Sequence, residues 1–491
     1  MKATYIGIAS FMVVALLVTG GLGGAVSAAS GPDSGSRIRL ETGHTSDWDG
    51  GGYVAVNMTD GTNLAWFGVV YGTEEHPAPI TIASMTLRYL GGAQVVDDNG
   101  RTLLNQIPIP VVTAFGQSLI GVFEFDDVGY NVPILGTYGA GNGLYDFSGP
   151  NLWSGAGSFE PVYKYVDMKR AWTLTEIQTT TDEVNHSVSF DFSLYATNVT
   201  YAKVWDPALN QYRNGILADG VVERLEFRFH IVASEQMVTT SVPFYQVTLN
   251  GGHVTGSKEI APRNFTASHV DCGIKYDHII QGWDAYPNAT APRLMLENAV
   301  VFAVGIPDIV QEWYNAQYVK THVQDGAGLI EYQTDEGTQT VRDQSDLPER
   351  STKVLTNTEI HSMDNWERVG TLSWVSNVTV DGQEKEMYYQ IHVGAAGVIP
   401  TPKHDMDVKA IIILGGYVYP MGTDVVHDPS FASDVFQLNI TDGLQALVFV
   451  LAIGAMVIVG CMIVALVVIR KHNRRGNDKF TYRQPPEYKQ R

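Results

Sequence analysis

The chain has 491 residues and a formal net charge of −20, with 17% charged and 45% hydrophobic residues, 49 glycines and two cysteines. This composition excludes an intrinsically disordered chain, a collagen and a small disulfide-based scaffold. The negative charge argues against nucleic acid as a partner, because nucleic-acid binding depends on a positively charged surface.

The N-terminal segment has the pattern of a secretory signal peptide. A basic residue precedes an apolar run over residues 6–18, and small residues follow it, with Val26 and Ala28 at the −3 and −1 positions of a cleavage site. The run is shorter than the roughly 20 residues that a bilayer span needs. We therefore predict a cleaved signal peptide over residues 1–29 and a flexible linker over 30–36.

Most of the remaining chain is typical of antiparallel β-strands. Hydrophobic and polar residues alternate with a period of two, most clearly over Leu225–Ile231, where Glu226, Arg228 and His230 separate the apolar residues. Such strands suit sheets that have one face on a core and the other in water. The strands predicted in this way are Tyr53–Asn57, Ile80–Leu90, Leu119–Phe125, Val184–Tyr195, Val221–Val232, Gln236–Leu249, Arg293–Val304, Thr371–Val380, Glu386–Val393 and Val408–Tyr419.

The fold class predicted from this pattern is all-β, with two or more antiparallel β-sandwich-like domains and one C-terminal transmembrane α-helix. A large β-sandwich domain is expected over residues 37–250, and a second β-rich domain over 260–400 with an acidic loop at 331–349. Residues 401–445 are expected to form a hinge and a juxtamembrane β segment or stalk, in which the strand Val408–Tyr419 either pairs with the second domain or belongs to the stalk. The best candidate for a short helix outside the membrane is 307–316.

Glu124 and Asp126 are candidates for carbohydrate recognition. The sequence Glu124-Phe-Asp126 partly resembles the ExDxxE strand of a family of retaining β-glucanases, in which two glutamates flank the scissile bond. Gly129 stands where that pattern has its third acidic residue, so the second carboxylate is missing. The alternative interpretation is an edge strand whose acidic residues face water.

His269, Asp271, Asp277 and His278 form the densest group of candidate metal ligands. On a strand, His269 and Asp271 share a face, and a turn at Gly273 would bring the other two back toward them. Ordinary surface or buried polar residues are the simpler interpretation. No cofactor is expected beyond calcium held loosely by the acidic surface, since such a surface attracts divalent cations without a dedicated cage.

The C-terminal region predicts a membrane anchor. Residues 446–469 are 24 uncharged and mostly apolar residues, which span about 36 Å as a helix and so cross a bilayer with some tilt. The tail, residues 470–491, holds eight basic residues against two acidic ones. A basic flank after the helix and an acidic body before it predict a type I topology in the cell membrane, with the tail in the cytoplasm.

Seven Asn-x-Ser/Thr sequons all precede the predicted membrane helix, and we expect them to carry N-linked glycans. Cys461 lies in that helix, which leaves Cys272 alone outside, so no disulfide within the ectodomain is possible. A glycosylated ectodomain of this size without disulfides favours an archaeal source. The sequon asparagines are Asn57, Asn185, Asn198, Asn264, Asn288, Asn377 and Asn439.

These features predict a single-pass surface glycoprotein with a structural or adhesive role in an archaeal cell envelope, similar in general plan to surface-layer proteins. The expected partners are the lipid bilayer and copies of the chain, other envelope proteins or surface glycans, and we expect no enzymatic activity. The alternative hypothesis is a membrane-tethered carbohydrate-binding or carbohydrate-active module that uses Glu124, Asp126 and an exposed tryptophan.

Overall fold

The fold, taken from a computed structural model, is all-β: strands make up most of the residues that the structure describes, and helix is almost absent among them. This confirms the predicted fold class at the level of antiparallel β structure. The residues that the structure describes are 38–44, 51–59, 64–132, 136–138, 140–145, 160–182, 184, 186–202, 205–206, 211–212, 220–250, 253–307, 329–334, 337–341, 344–346, 352–354, 359–363, 368–401 and 406–438.

The strands of the N-terminal half vary in length from short bridging pieces to ribbons of 25 and 30 residues. In chain order they are β1 (Ile38–His44), β2 (Gly52–Thr59), β3 (Leu64–Tyr71), β4 (Thr81–Asp97), β5 (Thr102–Asp126), β6 (Tyr130–Val132), β7 (Gly136–Tyr138), β8 (Val162–Asp167), β9 (Thr173–Leu174), β10 (Gln178–Asp182), β11 (Ser187–Thr200), β12 (Trp205–Asp206), β13 (Gln211–Tyr212) and β14 (Val221–Asn250).

The C-terminal half adds thirteen strands to those described above and one short 3-10 helix, Gln344–Asp346. The strands are β15 (His253–Gln281), β16 (Pro292–Pro307), β17 (Leu329–Thr334), β18 (Gly337–Val341), β19 (Thr352–Val354), β20 (Glu359–Met363), β21 (Arg368–Trp374), β22 (Asn377–Val380), β23 (Gln383–Glu386), β24 (Tyr388–Thr401), β25 (Met406–Pro420), β26 (Val425–His427) and β27 (Pro429–Leu438).

Two sheet layers face each other. The first layer runs β1-β2-β3-β4-β5-β16-β25-β24 through antiparallel pairs. The second runs β10-β11-β14-β15-β27-β21-β20-β17-β18, also antiparallel. Two sets of strand pairs connect the layers: β14 pairs in parallel with β4, and the short strand β19 pairs with both β24 and β17.

Aromatic residues pack between the layers. Phe115 of β5 stacks on Phe431 of β27 with ring centroids 4.7 Å apart, and Trp374 of β21 stacks on Tyr389 of β24 at 4.7 Å. The layers approach closely at Gly370 of β21, where a Cβ atom would lie 2.2 Å from the Phe115 ring. A glycine is therefore needed at this crossing.

In β14, the predicted alternation of hydrophobic and polar residues matches the burial of the side chains. Its apolar residues Leu225, Phe227, Phe229 and Ile231 are buried, because they face the core between the layers. One buried core extends in sequence from Ile38 to Phe431. The predicted domains 37–250 and 260–400 therefore share this core, and the strand pairs β14–β15 and β5–β16 join residues of the two ranges.

Some local predictions differ from the structure. Residues 329–334 and 337–341, partly predicted as an acidic loop, form strands β17 and β18, which pair with each other. The predicted strand Val408–Tyr419 lies within β25, and its pairing with β16 and β24 matches the alternative in which it pairs with the second domain rather than forming a stalk. Asp381 and Gly382 form the turn that connects β22 to β23, and both have positive φ, at 52° and 74°.

The predicted membrane topology concerns segments outside the described residues. The signal peptide 1–29, the linker 30–36, the membrane helix 446–469 and the tail 470–491 all fall there. Within the described part of the chain, no helix has the length and apolar character that crossing a membrane requires. The candidate helix 307–316 also falls almost entirely outside that part.

Candidate functional site

Three acidic side chains at the carboxyl end of β5 are buried. Glu124, Asp126 and Asp127 are 0%, 3% and 2% exposed, so they do not face water as an edge strand would present them. A buried carboxylate is stable only when hydrogen bonds replace its hydration. Each of the three accepts such bonds, mainly from backbone N–H groups of neighbouring loops.

Glu124 holds the beginning of the segment 282–291, which we call the sequon loop because it carries Asn288. Glu124 Oε2 accepts a hydrogen bond from Nε1 of Trp283 at 3.0 Å, and Oε1 accepts one from the backbone N of Tyr286 at 2.9 Å. Burial raises the pKa of the Glu124 carboxyl, and the hydrogen bonds from Trp283 and Tyr286 oppose that rise. Glu124 therefore fixes both a buried tryptophan and the loop.

Asp126 holds the end of the sequon loop. Both of its oxygens lie 3.0 Å from the backbone N of Thr290, and Oδ1 lies 2.5 Å from the backbone N of Ala291. The hydroxyl of Tyr163 donates a third hydrogen bond, to Oδ2, at 3.1 Å. The protein's own donors thus occupy most of the acceptor positions of this carboxylate.

Asp127 binds a different loop, the one that contains Gly141 and Gly143. Its oxygens accept hydrogen bonds from the backbone N of Gly141 at 2.8 Å and of Gly143 at 2.9 Å, and from Nε of Arg293 at 2.9 Å. The Asp127 side chain is 1% exposed, so the ion pair with Arg293 is shielded from solvent on that side. The three acidic residues are thus a brace for loops at one end of the first layer.

A pair of tyrosines lies beside this brace. The rings of Tyr163 and Tyr286 have centroids 4.3 Å apart and an interplanar angle of 34°, and both residues are half-buried. Burial and the hydrogen bond to Asp126 raise the pKa of Tyr163 to about 12. The Tyr163 phenol is therefore neutral, and it lies beside a partly exposed aromatic surface, an arrangement that suits contact with a polar, ring-shaped molecule.

The candidate metal ligands lie along β15, which continues straight through Gly273, so the predicted turn at Gly273 is wrong. Residues 271 and 277 are six positions apart on this strand, which is about 20 Å and too far for one ion. Asp271 is exposed and Asp277 half-buried, whereas His278 is 1% exposed on the opposite face. His269 precedes them on β15.

The structure therefore does not bring His269, Asp271, Asp277 and His278 together. Within the described residues, no group of three or more His, Cys, Asp or Glu side chains could hold a metal ion. Cys272 is buried on the core face of β15, whereas its neighbour Asp271 lies on the opposite face.

His278 instead belongs to a buried hydrogen-bond relay with Tyr419 and His427. The hydroxyl of Tyr419 lies 3.1 Å from Nδ1 of each histidine, and Nε2 of His427 lies 3.4 Å from the carbonyl oxygen of Val375. Burial, reinforced for His278 by the neighbouring His427, lowers the pKa of both imidazoles, to about 3 for His427. Both are therefore neutral at pH 7.

The geometry then determines the position of each hydrogen in the relay. The carbonyl of Val375 can only accept, so Nε2 of His427 carries the hydrogen and its Nδ1 accepts from Tyr419. Tyr419 in turn accepts from Nδ1–H of His278. This leaves Nε2 of His278 as a bare acceptor, and it has no hydrogen-bond partner among the described residues.

Further tyrosines surround the relay, and sequence reasoning missed all of them. Tyr276 donates to Oε1 of Gln117, and Nε2 of Gln117 donates to the hydroxyl of Tyr417 at 3.2 Å. The Tyr417 ring lies 5.2 Å from that of His278. The signal that could have found Tyr276 and His278 is period-two alternation. It places both residues on the core face of β15, together with Cys272 and Ile274.

Four sequon asparagines have exposed side chains, each in a different part of the fold. Asn198 has a φ of 51°, a left-handed conformation that asparagine tolerates, and Asn377 lies at the start of β22. Asn288 occupies the third position of a β-turn closed by a 3.3 Å hydrogen bond from the N of Ala289 to the carbonyl of Tyr286. The exposed asparagines are Asn198, Asn264, Asn288 and Asn377.

Asn57 differs from these four because its side chain is half-buried, within the pairing of β1 with β2. Its Nδ2 donates to Oε1 of Glu41 at 3.1 Å, and its Oδ1 is buried. A glycan on this Nδ2 would need to displace Glu41. The remaining sequons, at Asn185 and Asn439, lie outside the described residues.

Comparison with known proteins does not assign the chain to a family. No protein-family model matches the chain, and no curated protein is significantly similar to it.

Proposed function

We propose that this protein is a single-pass type I cell-surface glycoprotein with a structural or adhesive role in an archaeal cell envelope. The observation that carries the proposal is the exposure of four sequon asparagines on separate parts of an all-β body. An exposed asparagine can carry a glycan without unpacking the fold. The signal peptide over 1–29 and the membrane helix over 446–469, both predicted from sequence, place that body outside the cell.

The charge distribution supports the same proposal. The whole chain has a net charge of −20. Because the tail after the membrane helix is basic, the part outside the cell has a net charge more negative than this. Such a surface repels other acidic bodies until divalent cations screen it. Copies of the chain, other envelope proteins and surface glycans are the partners that this surface suits, with calcium as the loosely held counterion.

The proposal predicts which sequons are occupied. In protein isolated from the native host, we expect glycans on Asn198, Asn264, Asn288 and Asn377 and none on Asn57, because Asn57 is half-buried and bonded to Glu41 within the β1–β2 pair, whereas the other four, including Asn377 with its exposed contact to Glu384, are exposed. Glycopeptide mass spectrometry after proteolysis measures occupancy at each site. Unmodified peptides at all four exposed sites would contradict the proposal, and a glycan on Asn57 would contradict its structural basis.

The alternative is a membrane-tethered carbohydrate-binding module, and the Tyr163–Tyr286 pair is the observation that favours it. The two hypotheses differ in solution. For a structural role we expect the full-length protein to form larger, ordered assemblies in millimolar calcium, measured by light scattering and electron microscopy. For the alternative we expect saturable oligosaccharide binding that Tyr163→Ala abolishes, with no calcium-dependent change in mass.

A further inference from the structure

The acidic brace at the end of β5 presents a sequon next to an aromatic pair. Nδ2 of Asn288, the atom that an N-linked glycan modifies, lies 3.5 Å from the hydroxyl of Tyr286. Tyr286 stands two residues before Asn288 and occupies the first position of the same β-turn. The Tyr286 ring is in turn supported by Tyr163.

We propose that the Tyr163–Tyr286 pair is the docking surface for the first pyranose of a glycan carried by Asn288. The inference rests on the proposed function, since it requires that Asn288 is glycosylated. In the attachment step, Nδ2 replaces the phosphate leaving group at C1 of a lipid-linked sugar donor. The C1–O bond to the lipid phosphate breaks and the phosphate leaves with its electron pair, while Nδ2 releases one proton to solvent. Nδ2 keeps one hydrogen, so its hydrogen bond to Tyr286 can persist.

The chemistry of the pair fits a pyranose. The C–H groups on one face of the sugar ring pack against an aromatic ring through dispersion, while phenol groups hydrogen-bond to its hydroxyls. Burial and the bond to Asp126 keep the Tyr163 phenol protonated, as required. The half-buried state of Tyr163 and Tyr286 leaves part of this surface open.

The sequon loop is also held in place before any sugar arrives. Glu124 binds the backbone N of Tyr286, and Asp126 binds the backbone N of Thr290, on either side of Asn288. Binding to a preorganised surface costs less entropy, because the loop does not have to become ordered when the ligand binds. The residues that sequence patterns suggested for binding carbohydrate thus act as positioning residues for a loop that carries one.

The test is a double-mutant cycle in the full-length protein from a host that glycosylates it. Asn288→Gln removes the glycan, and Tyr286→Ala removes the ring. We expect Asn288→Gln to increase the unfolding equilibrium constant about five-fold when Tyr286 is present and to have no effect on the Tyr286→Ala background. Tyr286→Phe should retain most of the coupling, and Tyr286→Leu replaces Tyr286→Ala if that variant does not fold.

Asn377→Gln is the matched control, because Asn377 is exposed and its Nδ2 contacts Glu384 rather than an aromatic ring. Its effect should be the same with and without Tyr286. Site occupancy by mass spectrometry separates the two proposals. A glycan on Asn288 without coupling to Tyr286, or an Asn288 that is bare while other sequons are occupied, overturns this inference alone. Bare asparagines at every sequon overturn the glycoprotein proposal with it.

Discussion

Replacement of Asp126 by alanine is expected to lower the free energy of unfolding by about 3–5 kcal/mol. The carboxylate accepts from the backbone N of Thr290, the backbone N of Ala291 and the hydroxyl of Tyr163. Its removal leaves these donors without their acceptor beside a buried strand end. Urea unfolding of the purified full-length protein, followed by tryptophan fluorescence, measures the change.

Two further variants show whether the brace causes this loss. Asp126→Asn keeps one acceptor oxygen but turns an amide donor toward the other N–H groups, so its effect should lie between those of alanine and the wild type. Asp98→Ala removes an exposed aspartate from the β4–β5 turn and should change stability by less than about 0.5 kcal/mol. Equal effects of Asp126→Ala and Asp98→Ala would contradict the assignment of Asp126 as a loop anchor.

Acidification is expected to destabilise the protein through the buried histidines His278 and His427. The folded-state pKa of His278 and of His427 lies below the unfolded value of 6.5, so the unfolded chain binds more protons as pH falls. Stability is therefore complete above about pH 6.5 and decreases below it, toward pH 3 for His427. The loss is about 1.4 kcal/mol per pH unit for each histidine.

Acidic residues with raised pKa values oppose this slope. Burial raises the pKa of Glu297 to about 7 and also raises the pKa of Glu124 and of Asp277. A raised carboxyl pKa contributes stability that is present below its unfolded value and is lost as pH rises through the folded one. The wild-type profile is thus a balance, and only a comparison with a variant isolates the histidines.

His278→Phe provides that comparison because the phenyl ring keeps the aromatic contacts with Phe227, Tyr276 and Tyr417. Relative to pH 7.5, the wild type should lose about 1.4 kcal/mol more than this variant for each pH unit below 6.5. Tyr419→Phe removes the central hydroxyl of the relay but keeps both imidazoles, so it should lower stability without removing the slope. Parallel profiles for the wild type and His278→Phe would show that His278 is not a buried neutral group.

Strand positions could be predicted from sequence because alternation has a direct physical cause. In β14, the residues that face the core are those that the period of two selected, from Leu225 to Ile231. Pairing between distant strands could not be predicted in this way. The contact of β5 with β16, and of β14 with β15 and β4, depends on which apolar faces meet in the compact chain rather than on any local pattern.

The site was predictable only in part. The sequence suggested Glu124 and Asp126 as candidates for carbohydrate recognition, but it could not show that they accept hydrogen bonds from donors more than 150 positions away, in the sequon loop. For His278 the error was local, since a glycine at position 273 suggested a turn where the strand continues. The relay of His278 with Tyr419 and His427 joins three strands, and one sequence pattern cannot show such an arrangement.

The intact mass of the protein from the membrane fraction of native host cells tests the account most directly. We predict a polypeptide that lacks residues 1–28 or 1–29 and carries added sugar masses, which enzymatic or chemical deglycosylation removes. An unmodified chain of 53.8 kDa that begins at Met1 and is recovered from the soluble fraction would contradict it.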